Sequence, residues 1–422
     1  MRYLVMGTFL FISVTVNGGE KLDSQDLTLD QVLIKVLEYN PELKVSDFET
    51  RAAISRIKAA QLSKPVMAGF EFENFAGSGN YKGSDVMTTT LSLSKVFELG
   101  SKAELRGTVA QSNADLMQNT QDARRLDILA EAVRSFIHVV VDQQRLSIAK
   151  EKLDITNRTF EIVNRRVKAG RSPVAEKRRV SIAVERARIE LEHAEHELLT
   201  TRLKLVSMWG SLKPDFNLAQ ADLFKLDKPV SFEQLETLLQ RNPDLIRFAT
   251  SKRLAEASLH LAKAKRSANL EFSAGVRNFS ETDDNAFVLS MRMPFGLNSR
   301  AAPYIEEQQL QLQKEPFDYE KQRIKLYTAL FEVYQEIQHA YTAATALQNK
   351  IIPEARRALK DYERGYKAGR YSFLELTDAQ QTLLDSQLEK IMIAASYHKY
   401  KIEIDRLTGA RLINDSQPTG VN

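Results

Sequence analysis

The sequence predicts a mainly α-helical protein made of two copies of one unit, each copy interrupting long coiled-coil helices with a pair of alternating strands. Three observations carry this. The 422 residues include only 17 Gly and 11 Pro, roughly half the ordinary usage of these chain-breakers, so long stretches hold nothing that ends a helix. Segments recur about 200 residues apart: Asn40-Pro41-Glu42-Leu43 as Asn242-Pro243-Asp244-Leu245, Lys168-Ala169-Gly170-Arg171 as Lys367-Ala368-Gly369-Arg370, and Leu91-Ser92 with Phe97 as Leu289-Ser290 with Phe295. A near-constant offset across separate pairings marks an internal duplication. Within each copy the hydrophobic period also switches from helical to two and back again.

The elements follow in chain order. Met1-Arg2, the apolar stretch from Tyr3 to Val16 and the small residues of Val16-Asn17-Gly18 read as a signal peptide over 1–18. A buried N-terminal helix is the alternative, and the stretch is too short for a comfortable membrane span. The first repeat covers 19–210. Residues 30–63 hold no Gly and only Pro41, and Leu29, Val32, Leu33, Val36 and Leu37 form a helical stripe. A strand follows at about 65–76, with Val66, Ala68, Phe70 and Phe72 opposing Glu71 and Glu73. A second runs over about 87–97, with Leu91, Leu93 and Phe97 opposing Thr90, Ser92 and Ser94. A long helix at 101–168 contains Gly107 and no proline, which at 1.5 Å per residue gives roughly 100 Å. After a turn at 168–173, a return helix at 173–209 carries a seam through Val180, Val184, Ala187, Leu191, Ala194, Leu198, Leu205 and Met208, in the three-and-four steps of coiled-coil packing. A linker at 211–230 leads to the second repeat, 231–410. Its strands fall at about 268–279 and 286–295, its long helix at 299–367, its turn at 367–372 and its return helix at 372–408, before a tail at 411–422. Pro316 and Pro353 lie inside the second long helix and predict a bend or local irregularity there.

Strands of about ten residues suit a tilted membrane-spanning strand, although the same alternation fits a half-buried sheet in a soluble domain. The helices shift the balance, because rods this long must stand mostly in water. Four strands cannot close a membrane barrel, whose minimum is about eight, and an open edge in lipid leaves backbone groups unsatisfied. Two or three chains must therefore contribute to one tube.

Composition excludes other classes. The 59 Lys+Arg against 55 Asp+Glu leave a net +4 spread along the chain, so no nucleic-acid partner is expected. The absence of cysteine removes disulfides, zinc–thiolate and Fe–S sites, a thiol nucleophile and a lipidated N-terminal cysteine. No phosphate-cradling glycine loop, nucleophile elbow or HExxH segment occurs, so neither an enzyme nor a cofactor is expected. His193 and His196 stand at i, i+3 among Glu190, Glu192, Glu195 and Glu197. That spacing can hold a metal from one helix face, but no third ligand is evident, and a charged helix face accounts for it equally.

Several segments together carry a family resemblance: Asn40-Pro41-Glu42-Leu43, Phe70-Glu71-Phe72-Glu73-Asn74-Phe75-Ala76-Gly77-Ser78-Gly79, Thr90-Leu91-Ser92-Leu93-Ser94, Glu98-Leu99-Gly100-Ser101-Lys102, Gly275-Val276-Arg277-Asn278-Phe279 and Pro294-Phe295. Through them the chain after the signal resembles the TolC-like outer membrane factors. Within these it is most similar to the CzcC-like branch that serves cobalt–zinc–cadmium heavy-metal efflux. The resemblance implies a homotrimer in the outer membrane of a Gram-negative bacterium, embedded in lipid through a 12-stranded β-barrel and extending an α-helical barrel into the periplasm. It implies a periplasmic adaptor (membrane fusion protein) and an inner-membrane RND pump as partners, with the channel a passive exit duct for metal cations. It also implies roles for residues. Glu375 and Asp378, one helical turn apart, would line a periplasmic constriction, with Glu176 in the equivalent position of the first repeat and Tyr366 helping to tie the closed tip. The turn residues Ala169, Gly170, Arg171, Ala368, Gly369 and Arg370 would dock the adaptor. Glu71, Glu73, Glu271, Arg277 and Arg292 would face the barrel lumen. One departure stands out: an arginine often found two residues after the turn glycine is Tyr371 here, with Arg370 one place earlier.

Each assignment has a plainer alternative. The carboxylates can be solvated helix charges, the turns simple turn chemistry, and the lumen charges whatever keeps an inner face soluble. A TolC-like channel for drug efflux or type I secretion shares every physical feature, and a periplasmic coiled-coil structural protein shares all but the strands.

Overall fold

The computed structural model describes residues 26–409, so the expected signal peptide and C-terminal tail lie outside the described residues. Helix α1 (Leu29–Tyr39) begins with a capping box between Thr28 and Gln31. The helical stretch expected to run unbroken over 30–63 is two helices. Asn40 precedes Pro41 and takes φ −60°, ψ 122°, because the proline ring disfavours the α region for the residue before it. Helix α2 (Pro41–Gln61) restarts with Pro41 at its first position. Strands β1 (Val66–Glu73) and β2 (Thr88–Glu98) form the first hairpin, followed by α3 (Lys102–Lys168) and α4 (Val174–Ser207). A connection whose Ala219 pairs with Leu27 leads to α5 (Phe232–Leu239), α6 (Pro243–Ala264), β3 (Asn269–Phe279) and β4 (Asp284–Arg292). The second long rod is α7 (Leu297–Ala346), a π turn at Leu347–Ile351 and α8 (Ile352–Lys367), and α9 (Phe373–Thr408) returns. The expected irregularity accompanies Pro353 as that π turn, which just precedes the proline and carries the rod past its missing N–H. Helix α7 passes through Pro303 and Pro316 without changing class.

Contacts define a wall of rods. Helix α3 packs against α4 and α2 on one side and against α9 and α6 on the other, and α7 and α8 pack against α9 and α6. The short helices are therefore stacked end to end, α4 on α2 and α9 on α6, and each joint is made by the asparagine of the repeated motif. Asn40 Oδ1 accepts from the Glu42 and Leu43 amides at 2.9 and 3.1 Å, while its Nδ2 donates to the Met208 carbonyl at 2.7 Å. Asn242 does the same with the Asp244 amide at 2.7 Å and the Leu407 carbonyl at 2.8 Å. One side chain thus satisfies orphan groups at the start of one helix and the end of another. Arg406 braces the second joint, donating to Asp127 of α3 at 2.7 Å and Asp244 of α6 at 2.8 Å. Around the first joint the core includes Val32, Leu33, Phe136, Val139, Leu205 and Trp209; around the second it includes Leu330, Tyr397 and Leu407.

The four strands make one antiparallel sheet in the order β1-β2-β3-β4. The register aligns Phe70, Leu91, Val276 and Phe287 in one row and Ala68, Leu93, Ala274 and Leu289 in the next, so one face is apolar across all four strands. Both β1 and β4 are open edges. No helix among the described residues is long and apolar enough to cross a membrane. The rods have two edges as well, and each carries exposed apolar side chains. On α7, Leu310, Phe317, Ile324 and Phe331 recur every seven residues and are exposed; on the opposite edge, so are Val45 and Phe48 of α2 and Ile182, Ile189 and Leu203 of α4.

Candidate functional site at the tip turns

The α3–α4 and α8–α9 connections lie side by side at one end of the wall. Both are built alike. Gly170 and Gly369 take φ +69° and +78°, the left-handed conformation that closes a helix without a side-chain penalty. The Arg171 amide reaches back to the Arg166 carbonyl and the Arg370 amide to the Gly365 carbonyl, both at 2.8 Å. Ala169, Gly170, Arg171, Ala368, Gly369 and Arg370 are all exposed at this end. Beneath the turns a small core joins Val163, Val180, Leu359, Tyr366, Phe373 and Leu376.

Tyr366, 2% exposed, ties the two turns together. Its hydroxyl donates to the Glu176 carboxylate at 2.9 Å. Burial pushes that hydroxyl above its ordinary pKa, and Glu176 adds to the shift, so it remains a donor throughout the physiological range. Arg166 completes the tie. Its guanidinium donates to the Tyr366 carbonyl at 2.6 Å, the Ser172 hydroxyl at 3.0 Å and the Arg171 carbonyl at 3.2 Å, and sits 4.6 Å from the Tyr366 ring centroid. The Tyr366 carbonyl, which also accepts from the Gly369 amide at 3.0 Å, lies in the last turn of α8, where a cation is favoured by the helix dipole as well.

The two repeats differ here in an instructive way. Glu375 is exposed and folds back onto Ser372, accepting from its amide at 2.7 Å and its hydroxyl at 2.8 Å as half of a capping box for α9. These bonds hold its carboxyl below the usual carboxylate range. In the first repeat Pro173 occupies the N-cap of α4 and makes no side-chain cap. Glu176, at the position equivalent to Glu375, is therefore left for Tyr366. Asp378 is exposed one turn beyond Glu375, with no hydrogen bond or ion pair within the chain among the described residues. Sequence reasoning missed Arg166. Its counterpart in the second repeat is Gly365, whose added Cβ would fall 2.1 Å from the Tyr371 ring. Arg166 with Ser172 in one copy is thus replaced by Gly365 with Tyr371 in the other, an exchange visible once the copies are aligned. Tyr371 packs at a tilt against Tyr362, with ring centroids 4.7 Å apart.

At the other end, Glu71, Glu73, Glu271, Arg277 and Arg292 all lie on the sheet face opposite the apolar rows. Four of them pair: Arg277 with Glu73 at 3.0 Å and Arg292 with Glu271 at 3.2 Å, and Arg277 also donates to Thr90 at 2.9 Å. His193 and His196 are exposed on α4, and no cluster of three or more His, Asp or Glu able to hold a metal occurs among the described residues.

Comparison with known proteins fits this geometry. The family model described as outer membrane efflux protein matches residues 32–211 and 235–410, one match per repeat. The cobalt-zinc-cadmium resistance protein CzcC of Cupriavidus metallidurans is 26% identical over 322 residues, covering 76% of this chain and 77% of that protein. Among solved structures, that of CusC, described in terms of folding and transmembrane channel formation, superposes with a TM-score of 0.75 at 17% identity, over 94% of this chain and 95% of that one. The open state of the MtrE outer membrane channel of Neisseria gonorrhoeae gives 0.74 at 17% identity, with 95% of each chain covered.

Proposed function

The chain belongs to the outer membrane efflux protein family, and from that membership we propose that it is the passive exit duct of a tripartite heavy-metal efflux system, working as a homotrimer with a periplasmic adaptor and an inner-membrane RND pump. The observation that carries the assembly is the pair of unsatisfied edges. One edge presents β4 and the exposed heptad of α7, the other β1 and the exposed apolar residues of α2 and α4. Joining unlike edges of successive copies is a head-to-tail contact that closes into a ring. It satisfies the strand edges and covers both apolar stripes at once. Three copies of a four-stranded sheet make twelve strands, within the range of membrane barrels. The apolar rows then face lipid, and the paired charges of Glu73, Arg277, Glu271 and Arg292 face the lumen.

The rods stand in the periplasm and place the tip turns at the inner end, where they meet the adaptor. Three copies of Glu375 and Asp378 gather at that entrance as a ring of carboxylates, which draws cations and repels anions. Tyr366, Glu176 and Arg166 hold the two turns of each chain together and so set how wide the entrance stands. Anchoring rests on the barrel and the trimer, since no cysteine is present to carry a lipid. Energy comes from the pump; the duct itself does no chemistry. Cobalt, zinc and cadmium follow from the likeness to CzcC, and copper joins them in the substrate set as a cation of the same class. Deleting the gene should lower the tolerance of the cell to these cations and leave its tolerance to lipophilic drugs unchanged. The opposite pattern would assign the channel to drug efflux.

A further inference from the structure

The apolar face of the sheet carries a single charge. In the row Val66–Lys95–Phe272–Met291, Lys95 stands between apolar neighbours on the face that the barrel turns to lipid. The acidic groups of the sheet lie on the other face, where Glu73 and Glu271 are already paired with arginines. Among the described residues Lys95 makes no ion pair, and its Nζ lies 5.7 Å from the Phe97 ring centroid. Its place along the strand is informative. It lies three residues before the end of β2 at Glu98, about 10 Å at 3.3 Å per residue, on the side from which α3 departs. A lysine facing lipid is costly at the bilayer midplane and nearly free at the interface, and its long stem lets the ammonium reach that interface.

Beside Lys95 the sheet is grooved. Val66, Leu93, Phe272, Ala274, Leu289 and Met291 line a shallow depression of about 480 Å³ in which Lys95 is the only charged residue. The groove exists because Ala274 sits between Leu93 and Leu289 in the cross-strand row, a small side chain between two large ones. Phe97 and Phe272 pack edge to face, with centroids 5.8 Å apart, at the same level of the sheet as Lys95.

We propose that Lys95 and this groove form a site for an anionic phospholipid of the periplasmic leaflet, with the lipid phosphate on Nζ and an acyl chain lying along the groove. The site rests on the reading of the sheet as a membrane barrel. Charge complementarity selects the lipid: an unpaired cation favours a headgroup of net negative charge over one whose phosphate is neutralised by its own ammonium. Continuity with the lipid-facing rows supplies the apolar half of the site.

The test uses the intact protein in mixed micelles doped with phosphatidylglycerol or with phosphatidylcholine of the same acyl chains, and native mass spectrometry to count lipids retained per trimer. The wild type should retain phosphatidylglycerol preferentially. Lys95→Gln should lower that preference about fivefold, the share of one lysine near an anionic surface, while Lys95→Arg preserves it. Ala274→Trp, which fills the groove, should lower retention of both lipids. A trimer that conducts ions in bilayers yet shows no preference, or keeps it in Lys95→Gln, overturns this site and leaves the channel reading intact. A chain that forms no lipid-inserted trimer overturns both.

Discussion

Replacing Arg166 with alanine should part the two tip turns of each chain. The side chain makes four hydrogen bonds of 2.6 to 3.4 Å, to the Tyr366, Lys367 and Arg171 carbonyls and the Ser172 hydroxyl, and packs on the Tyr366 ring. A hydrogen bond from a charged group contributes about 1.5–3 kcal/mol. Arg166 is half-buried, so solvent weakens each bond, and the contacts are not independent. Only the Tyr366 and Lys367 carbonyls and the Tyr366 ring belong to the other turn; those charged hydrogen bonds and the cation–π contact together come to about 3 kcal/mol, on the order of a hundredfold in the equilibrium between joined and parted turns. Arg166→Lys should recover less than half of this, since an ammonium on a flexible stem cannot hold both turns as a planar fork does. Amide hydrogen exchange reads the effect directly, because local opening sets the exchange rate. In Arg166→Ala the amides around both turns should exchange on the order of a hundredfold faster, with the α2–α4 and α6–α9 joints unchanged. Equal exchange at the tip in wild type and variant would refute the idea that Arg166 holds the turns together.

Three further outcomes follow from other parts of the molecule. Asn242, 0% exposed, should cost about 2–3 kcal/mol when changed to alanine, the sum of a lost cap and a lost buried bond; Asn242→Asp keeps the capping acceptor, loses the donor to Leu407, and should fall between the two in denaturant midpoint. Glu375→Gln combined with Asp378→Asn should weaken the block of single-channel current by divalent cations, and an unchanged block would sink their assignment to the entrance. Tyr397 donates to the Asp227 carbonyl at 2.6 Å, and burial pushes its hydroxyl up to about 12. Its raised value means that the neutral form is favoured by folding, so its contribution is complete below the unfolded value of about 10 and disappears as pH rises through 12. Denaturant midpoints should fall across that window, and less steeply in Tyr397→Phe.

Much of this architecture is written in local patterns. The scarcity of chain-breakers foretells the rods, and the period-two runs foretell which strand residues share a face, because alternation is a property of the strand itself. The stacking of the short helices could be read from their summed length against the long one, but the chemistry of the joints was not legible. Asn-Pro occurs twice in the sequence, but the meaning of Asn40 depends on the Met208 carbonyl, brought to it from 168 residues away, and Pro41 splits what reads as one helix. The tip was half legible. Alignment of the two repeats makes Glu176 and Glu375 equivalents, yet one meets Tyr366 and the other caps its own helix, because Pro173 stands in one copy where Ser372 stands in the other. Arg166 escaped notice because a charged residue near a helix C-terminus is ordinary on a surface, and its role appears only when the other turn is placed beside it. Lys95 has the parity of Leu91, Leu93 and Phe97, so alternation already places it on their face; what the register adds is its cross-strand neighbours Val66, Phe272 and Met291.

The central claim is that copies of this chain close into a membrane-spanning duct, and reconstitution of the purified protein in planar bilayers tests it most directly. The account predicts a detergent-extracted trimer that inserts and gives discrete, stable conductance steps. A chain released from membranes by salt wash alone, and silent in the bilayer, would contradict it.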